Sequence, residues 1–153
     1  MENKLLLPKT YLSWSQLSCW MSNPARYRRE YFENADKLDT KYLQYGKGIA
    51  EMIEKGLHKD LLPDLLVYDT PEFEIRTEVG GVPILSYLDS YDSKNNVFYE
   101  MKTGTVKWDM ARVQKHDQLT FYATALFHST GKIPAYCDLQ WIETKERTVE
   151  KVD

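Results

Sequence analysis

Two acidic residues and a lysine lie close together in residues 87–104, which read YLDSYDSKNNVFYEMKTG. The polar stretch SKNN separates two short runs of apolar and aromatic residues, a pattern typical of two strands joined by a turn. If the turn is centred within that stretch, Asp89 lies opposite Glu100 on the neighbouring strand. Because side chains alternate between the faces of a strand, Asp89, Glu100 and Lys102 then share one face.

This arrangement predicts a site for a metal ion. Two carboxylates opposite each other repel, so their juxtaposition indicates a cation between them. A divalent metal fits, because Mg²⁺ takes oxygen ligands from one or two carboxylates and keeps several waters. Lys102, beside the pair, could orient or deprotonate an attacking water or stabilise a developing phosphoryl charge.

Composition limits the functions that remain open. With 153 residues the chain fits one domain, and 42% hydrophobic with 28% charged residues is ordinary for a globular protein. The net charge of −3 argues against a uniformly basic nucleic-acid-binding protein, but not against a nuclease whose acidic site is neutralised by metal. Cys19 and Cys137 form no metal-binding spacing, so reduced thiols and a cytoplasmic location are expected. No apolar segment approaches the length of a membrane span, and no membrane partner is expected.

Two helices are predicted near the N-terminus. Ser13 or Ser15 is a suitable N-cap for the first, in which apolar residues recur at helical spacing. Asn23-Pro24 interrupts that helix, and Pro24 suits the first turn of a second one. The aromatic residues of this stretch are expected in the core.

A longer helix is predicted over residues 39–56, where Gly56 ends it. Gly46 and Gly48 weaken a helix, so they indicate that something packs closely there. Residues 58–69 predict a connection with a short helix or none. The apolar positions of the longer helix are Tyr42, Tyr45, Ile49, Met52 and Ile53.

The acidic segment is predicted to complete a meander of three antiparallel strands. Residues 72–79 alternate in polarity, and Gly80-Gly81 predicts a tight turn into residues 82–91. Strand alternation places three residues of the acidic segment on the face opposite the acids: Leu88, Val97 and Met101.

One more helix and one more strand follow. The helix is predicted over about residues 109–129, with Asp109 as its N-cap, Gly131 as its stop, and an apolar face. Residues 133–142 predict a strand that runs parallel to an inner strand after the helical crossover. Two histidines of the helix are expected at the surface and not as ligands: His116 and His128.

The order of these residues resembles a known family. Asp89 followed after about ten residues by Glu100-x-Lys102 resembles the signature of the PD-(D/E)XK nuclease superfamily, with Leu in place of Pro before the Asp. The stretch from Ser13 resembles the S-x-S-x-L opening of its RecB-like branch. Asn23 stands where that branch often has Cys, so no iron–sulfur ligand is implied.

Two helices carry further parts of the resemblance. Residues 39–56 resemble the motif G-x-x-x-H-x-x-x-E, with Glu54 in place but Ala50 where many relatives have a metal-binding His. Glu54 lies one turn after Ala50 on the same face, so it could supply an oxygen ligand instead. The stretch DQLTFYATAL resembles the Q-x-x-x-Y motif, whose Gln118 and Tyr122 can hydrogen-bond the active-site edge and the nucleic-acid backbone.

The resemblance implies an α/β (α+β) fold, a PD-(D/E)XK restriction-endonuclease-like core with a mixed central sheet in αβββαβ order flanked by helices. A single domain is expected over residues 1–153, divided into an N-terminal helical segment, a core and a tail: 1–37, 38–142 and 143–153.

The implied chemistry is hydrolysis of DNA phosphodiester bonds with Mg²⁺ or Mn²⁺. Asp89, Glu100, the Met101 carbonyl and Glu54 would hold the metal. Lys102 would position water or stabilise the transition state, and Gln118 with Tyr122 would steady the site. The expected substrate is linear DNA, single- or double-stranded, cut by an exonuclease or endonuclease in repair, recombination or phage DNA processing. A homo-oligomer or a larger recombination complex is possible.

Two alternatives stay open at this stage. The chain could be a nucleic-acid-binding or scaffolding module that kept the fold and lost the chemistry, which Ala50 favours. It could also be an unrelated α+β domain for protein interaction, in which Asp89 and Glu100 are solvated.

Overall fold

The computed structural model describes residues 6–37, 40–67 and 70–143. The helices are α1 (Trp14–Ser22), α2 (Pro24–Tyr27, continued by a π-helical turn, Arg28–Phe32), α3 (Lys41–Glu54), α4 (His58–Leu61), α5 (Met110–Gln114) and α6 (Asp117–Thr130). The strands are β1 (Thr70–Val79), β2 (Val82–Asp92), β3 (Val97–Gly104) and β4 (Tyr136–Glu143).

The four strands form one mixed sheet in the order β1-β2-β3-β4. β1, β2 and β3 pair antiparallel, and β4 pairs parallel with β3, so the predicted meander and the parallel last strand are confirmed. The turn between β1 and β2 has positive φ at both glycines, 58° at Gly80 and 81° at Gly81, which is the backbone of the tight hairpin turn that these residues predicted.

The core lies between the sheet and α6. Ala125 and Leu126 of α6 are buried against β1, β2 and β3, and the apolar face predicted for this helix is confirmed. Leu88 and Phe98 both belong to this core, and Met101 lines a cavity together with Asp89. The prediction that Leu88, Val97 and Met101 form one face opposite the acids is therefore wrong. The buried residues of the core are Ile75, Ile84, Leu88, Tyr91, Phe98, Ala125 and Leu126.

The N-terminal helices begin as predicted, and they bury some but not all of the residues expected in the core. Ser13 caps α1 by accepting from the Gln16 N–H, and Asn23 caps α2 by accepting from the Arg26 N–H. The aromatic residues were expected in the core; Tyr31 is buried there, but Trp20 is 54% exposed and Phe32 is 50% exposed. α1 packs by its other side, where Gln16 and Cys19 are buried, because the chain before it is fixed to β2 by a backbone bridge.

α3 begins after its N-cap Thr40 and ends just before Gly56, close to the predicted limits. Close packing was predicted at both glycines, and it is found at neither. A Cβ at Gly46 would lie 3.9 Å from Thr103 Oγ1 of β3, an ordinary van der Waals distance, and Gly48 faces open space. Ile53 is buried and Tyr45 is 43% exposed, while the side chain of Tyr42 is outside the described part. The connection after α3 contains the short helix α4.

The single helix predicted over residues 109–129 is instead two helices. Asp109 caps α5 as predicted, and Gly131 ends α6 in the left-handed conformation. Between them, His116 is extended, with φ −90° and ψ 97°, so the helix cannot continue through it. Its ring lies between Trp108 and Trp14, with centroids 4.9 Å and 6.2 Å away, and these long-range contacts hold the break.

Among the described residues, no helix is long and apolar enough to cross a membrane. The predicted tail, residues 143–153, falls almost wholly outside the described ranges.

Candidate active site

The site begins where β2 and β3 separate. Their pairing stops at Ser90 opposite Tyr99, one residue before Asp89 and Glu100 would meet. There, Asp89 Oδ2 accepts a hydrogen bond of 2.6 Å from the Met101 backbone N–H. The Met101 N–H thus bonds to a carboxylate and not to the backbone carbonyl that continued pairing of the two strands would supply. Divergence of the two strands places Asp89 against the backbone of the Glu100–Met101–Lys102 segment.

Glu100 is a buried acid with an incomplete set of partners. It is 4% exposed, and Lys102 Nζ lies 2.8 Å from its Oε1. Its Oε2 is buried without a hydrogen-bond partner. Burial raises the pKa of Glu100 to about 7, and the charge of Asp89 adds to this effect, while Lys102 opposes it.

Asp89 is half-buried and shares this environment. Burial raises the pKa of Asp89 above its ordinary value, although the Met101 N–H and the Lys102 charge act in the opposite direction. Burial raises the pKa of both carboxyls, and Asp89 raises the pKa of Glu100 further, whereas the hydrogen bond with Glu100 lowers the pKa of Asp89. A cation between two such carboxyls would favour their ionised forms.

Lys102 connects the acids to helix α6. Its ammonium also donates to Gln118 Oε1, and Gln118 Nε2 donates to the Tyr122 hydroxyl at 2.9 Å. Gln118 is buried, and burial followed by the Glu100 charge raises the pKa of Tyr122 far above its ordinary value. The sequence-predicted pair Gln118 and Tyr122 therefore lies beside Lys102, with the phenol protonated.

A cavity of about 170 Å³ adjoins Asp89. Glu54 of α3 lines it, and so does Ala50, the position where the related motif has His. Glu54 is exposed and has no described hydrogen bond to the two acids. The other lining residues are Ile53, Pro71, Glu72, Asp89 and Met101.

Glu72 of β1 is a cavity residue that the sequence analysis missed. In the β1–β2 register, Pro71 pairs with Ser90 and Phe73 with Leu88, so Glu72 falls at the level of Asp89 without pairing. Its φ is 48°, a conformation that is uncommon for a non-glycine residue and costs about 1 kcal/mol or more. The charge of Glu72 contributes to the raised pKa of Asp89. Glu72 and Asp89 are equally far along the chain from the Gly80-Gly81 turn, and this symmetry could have predicted that the two residues lie at the same level.

A divalent metal fits the donors of this site. Asp89 and Glu100 supply adjacent carboxylates, and the unpartnered Glu100 Oε2 is an oxygen whose lone pairs have no protein donor. Among the described residues, no three His, Cys, Asp or Glu side chains lie close enough to hold one ion. Water would therefore complete the coordination, as Mg²⁺ prefers.

His116 was expected at the surface, and this prediction is wrong. The ring is half-buried, and its Nε2 lies 2.8 Å from Gln118 Oε1. His128 is exposed, as expected. No sequence pattern indicated the His116 contact, because the contact depends on the break between α5 and α6.

Comparisons with known proteins support the fold. No family model matches the chain, and no curated protein matches it. The structure is similar to the crystal structure of a "putative exonuclease" from Eubacterium rectale, with a TM-score of 0.61 and 14% sequence identity. The match covers 88% of this chain and 66% of that one. At this identity the likeness shows a shared mixed α/β fold.

Proposed function

We propose that this protein is a DNA nuclease of the PD-(D/E)XK superfamily that uses Mg²⁺ or Mn²⁺. The observation that carries the proposal is the convergence of Asp89, Glu100 and Lys102 at the point where two strands separate. A buried acid pair with an unpartnered oxygen destabilises the fold, so its presence favours a role in binding.

The metal would be held by Asp89, Glu100 and the Met101 carbonyl, with Glu54 reaching it across the cavity or through water. When bound, the metal lowers the pKa of a coordinated water and offsets charge on the leaving oxygen. Glu100 and Asp89 ionise together once a cation offsets their repulsion.

Lys102 would orient the attacking water or stabilise the phosphorane-like charge, because its ammonium is fixed beside Glu100 Oε1 and the Gln118 carbonyl oxygen. Tyr122 keeps its proton, so it can donate a hydrogen bond but cannot act as a base at neutral pH. Gln118 holds Lys102 and Tyr122 in one arrangement.

Fold similarity supports the same class of activity. The Eubacterium rectale protein that shares the fold carries the description "putative exonuclease". An exonuclease acting in DNA repair, recombination or phage DNA processing is the finer form of our proposal. Because this chain spans 66% of that protein, its substrates are not carried over directly.

The test is degradation of end-labelled linear DNA and of covalently closed circular DNA with Mn²⁺, Mg²⁺ or EDTA. We expect metal-dependent loss of the linear DNA only. Lys102→Met should reduce the rate by at least about 100-fold, as loss of one charge-stabilising group does in other enzymes. Arg76→Met, a change at an exposed cation on β1, is the matched control. Unchanged cleavage by Lys102→Met would overturn the proposed site.

One observation favours a second function, a nucleic-acid-binding module without catalysis. Ala50 lines the cavity where relatives have a metal-binding His, and the described residues provide no group of three ligands. In that case DNA would bind without cleavage at any Mn²⁺ concentration. Ala50→His, which restores the motif, should then produce measurable cleavage.

A further inference from the structure

The break between α5 and α6 brings a histidine to the lysine of the proposed site. His116 Nε2 and Lys102 Nζ both lie within hydrogen-bond distance of the same atom, Gln118 Oε1. A continuous helix, which the sequence predicted, would carry residue 116 in a helical conformation and not in the extended one observed. The contact therefore depends on this chain's irregular backbone at His116.

Elementary chemistry fixes the direction of both hydrogen bonds. An ammonium group has only donors, so the atom of Gln118 that faces Lys102 must be the carbonyl oxygen. The amide nitrogen then faces Tyr122, to which it donates at 2.9 Å. Since Gln118 presents an acceptor to His116, the imidazole Nε2 must carry a hydrogen.

The ring of His116 is itself held in place. Trp108 and Trp14 contact it from two sides, and the guanidinium of Arg112 lies 4.0 Å over the Trp108 ring. This packing limits rotation of the imidazole, so its N–H is directed at Gln118. Burial lowers the pKa of His116; the hydrogen bond to Gln118 opposes this effect, and the charges of Lys102 and Arg112 add to it, so the net direction favours the neutral ring.

We propose that His116 is a positioning residue for Lys102, acting through the Gln118 carboxamide. A second donor on Gln118 Oε1 stops the amide from flipping or withdrawing, and the amide oxygen in turn fixes the ammonium beside Glu100. The proposal rests on the proposed nuclease function, since Lys102 is the group that would meet the reacting phosphate. The described contacts of His116 are with Gln118, Trp14 and Trp108, and none of them is with the proposed metal-binding acids.

Two substitutions at His116 distinguish the effect of its hydrogen-bond donor from the effect of its aromatic ring. His116→Phe keeps an aromatic ring between Trp14 and Trp108 but removes the N–H, whereas His116→Gln replaces the ring with an amide that can donate. We expect kcat for linear DNA to fall about ten-fold in His116→Phe, with the Kd for Mn²⁺ unchanged, and to recover largely in His116→Gln. His128→Phe, at the exposed histidine of α6, is the matched control.

Three results would overturn the proposal. His116→Phe could be as active as the unmutated protein, or His116→Gln could be as impaired as His116→Phe, which would make packing the only role. The ¹⁵N spectrum of the imidazole could show the hydrogen on Nδ1 and not on Nε2. The tautomer needs no activity, so a protein that cleaves no DNA but carries the Nε2 hydrogen would overturn the nuclease function and leave the geometry intact.

Discussion

Glu100 is the residue at which the proposed chemistry and the stability of this protein meet, because its carboxyl is buried beside another acid. Only one of its oxygens has a partner, Lys102, and its neighbour Asp89 carries the same charge. A fold tolerates a carboxyl group buried away from water when protonation or a bound cation neutralises its charge. At this scale the proposed metal ion would neutralise an acid pair that Lys102 alone does not fully offset.

Glu100 should make the metal-free protein less stable as pH rises. Its ordinary pKa is 4.5 and its folded pKa is about 7, so between these values the folded state binds more protons than the unfolded state. The free energy of unfolding should therefore fall from about pH 4.5 to about pH 7, by up to about 3 kcal/mol, and then level off for this group. Urea unfolding in EDTA across this range measures the slope.

Glu100→Gln provides the control for that slope, because the amide cannot ionise. We expect most of the decline to disappear in this variant, while the part due to the raised pKa of Asp89 stays. An equally steep decline in Glu100→Gln would show that other groups control the pH dependence.

The stability of individual helices and strands depends on single glycines and on one glutamate whose backbone has a positive φ. α3 contains Gly48, where an added side chain meets no atom within 4 Å, and β1 contains Glu72 with φ at 48°. A glycine inside a helix costs conformational entropy, whereas a glycine at positive φ relieves steric strain. The two positions therefore call for opposite substitutions.

Gly48→Ala should stabilise the protein by about 0.5–1 kcal/mol, because alanine is the better helix former and the position is open. Gly131→Ala is the contrasting change, since the C-cap glycine of α6 has φ 73° and alanine there should destabilise by a similar amount. Chemical denaturation of the two variants measures both effects. Destabilisation by Gly48→Ala together with stabilisation by Gly131→Ala would contradict the assigned helix ends.

Glu72→Gly tests whether the left-handed backbone at the cavity is held against its own preference. We expect little or no loss of stability, because relief of strain offsets the entropy cost of glycine. Glu78→Gly, in the same strand and without a positive φ, should cost about 0.5–1 kcal/mol. If both substitutions destabilise equally, Glu72 is not strained.

For the whole molecule, the proposed metal site would link metal binding to folding. A ligand that binds only the folded state stabilises it by RT ln(1 + [L]/Kd), about 2.7 kcal/mol at 100 times Kd. Mn²⁺ should therefore raise the Tm of the unmutated protein in a concentration-dependent manner. Asp89→Asn should abolish the increase, because the pair of carboxylates is lost.

The control for this prediction is Asp92→Asn. Asp92 lies on the same strand but stabilises the β2–β3 turn through Asn95 and does not face the site. It should lower the starting Tm and leave the response to Mn²⁺ intact. An unchanged Mn²⁺ response in Asp89→Asn would remove Asp89 from the proposed metal site.

Domain limits, oligomeric state and cytoplasmic location stay predictions.

Local chemistry let the sequence alone determine much of this protein. The caps at Ser13 and Asp109, the interruption at Asn23-Pro24 and the glycine hairpin all depend on residues a few positions apart, whose preferences act before any tertiary contact forms. The turn also set the register that brings Asp89 to the level of Glu100. Residues equally far from a turn face each other, so the positions of the turn and of the two acids in the sequence are enough to predict this pairing.

Only the tertiary structure decided how the site is assembled. The separation of β2 from β3, the left-handed Glu72, the break at His116 and the exposure of Trp20 result from packing between distant segments. Such contacts have no periodic signal, because the residues that impose them are far away in the chain. The sequence therefore identified the acids and the lysine, whereas the fold supplied the cavity, the burial and the histidine that surround them.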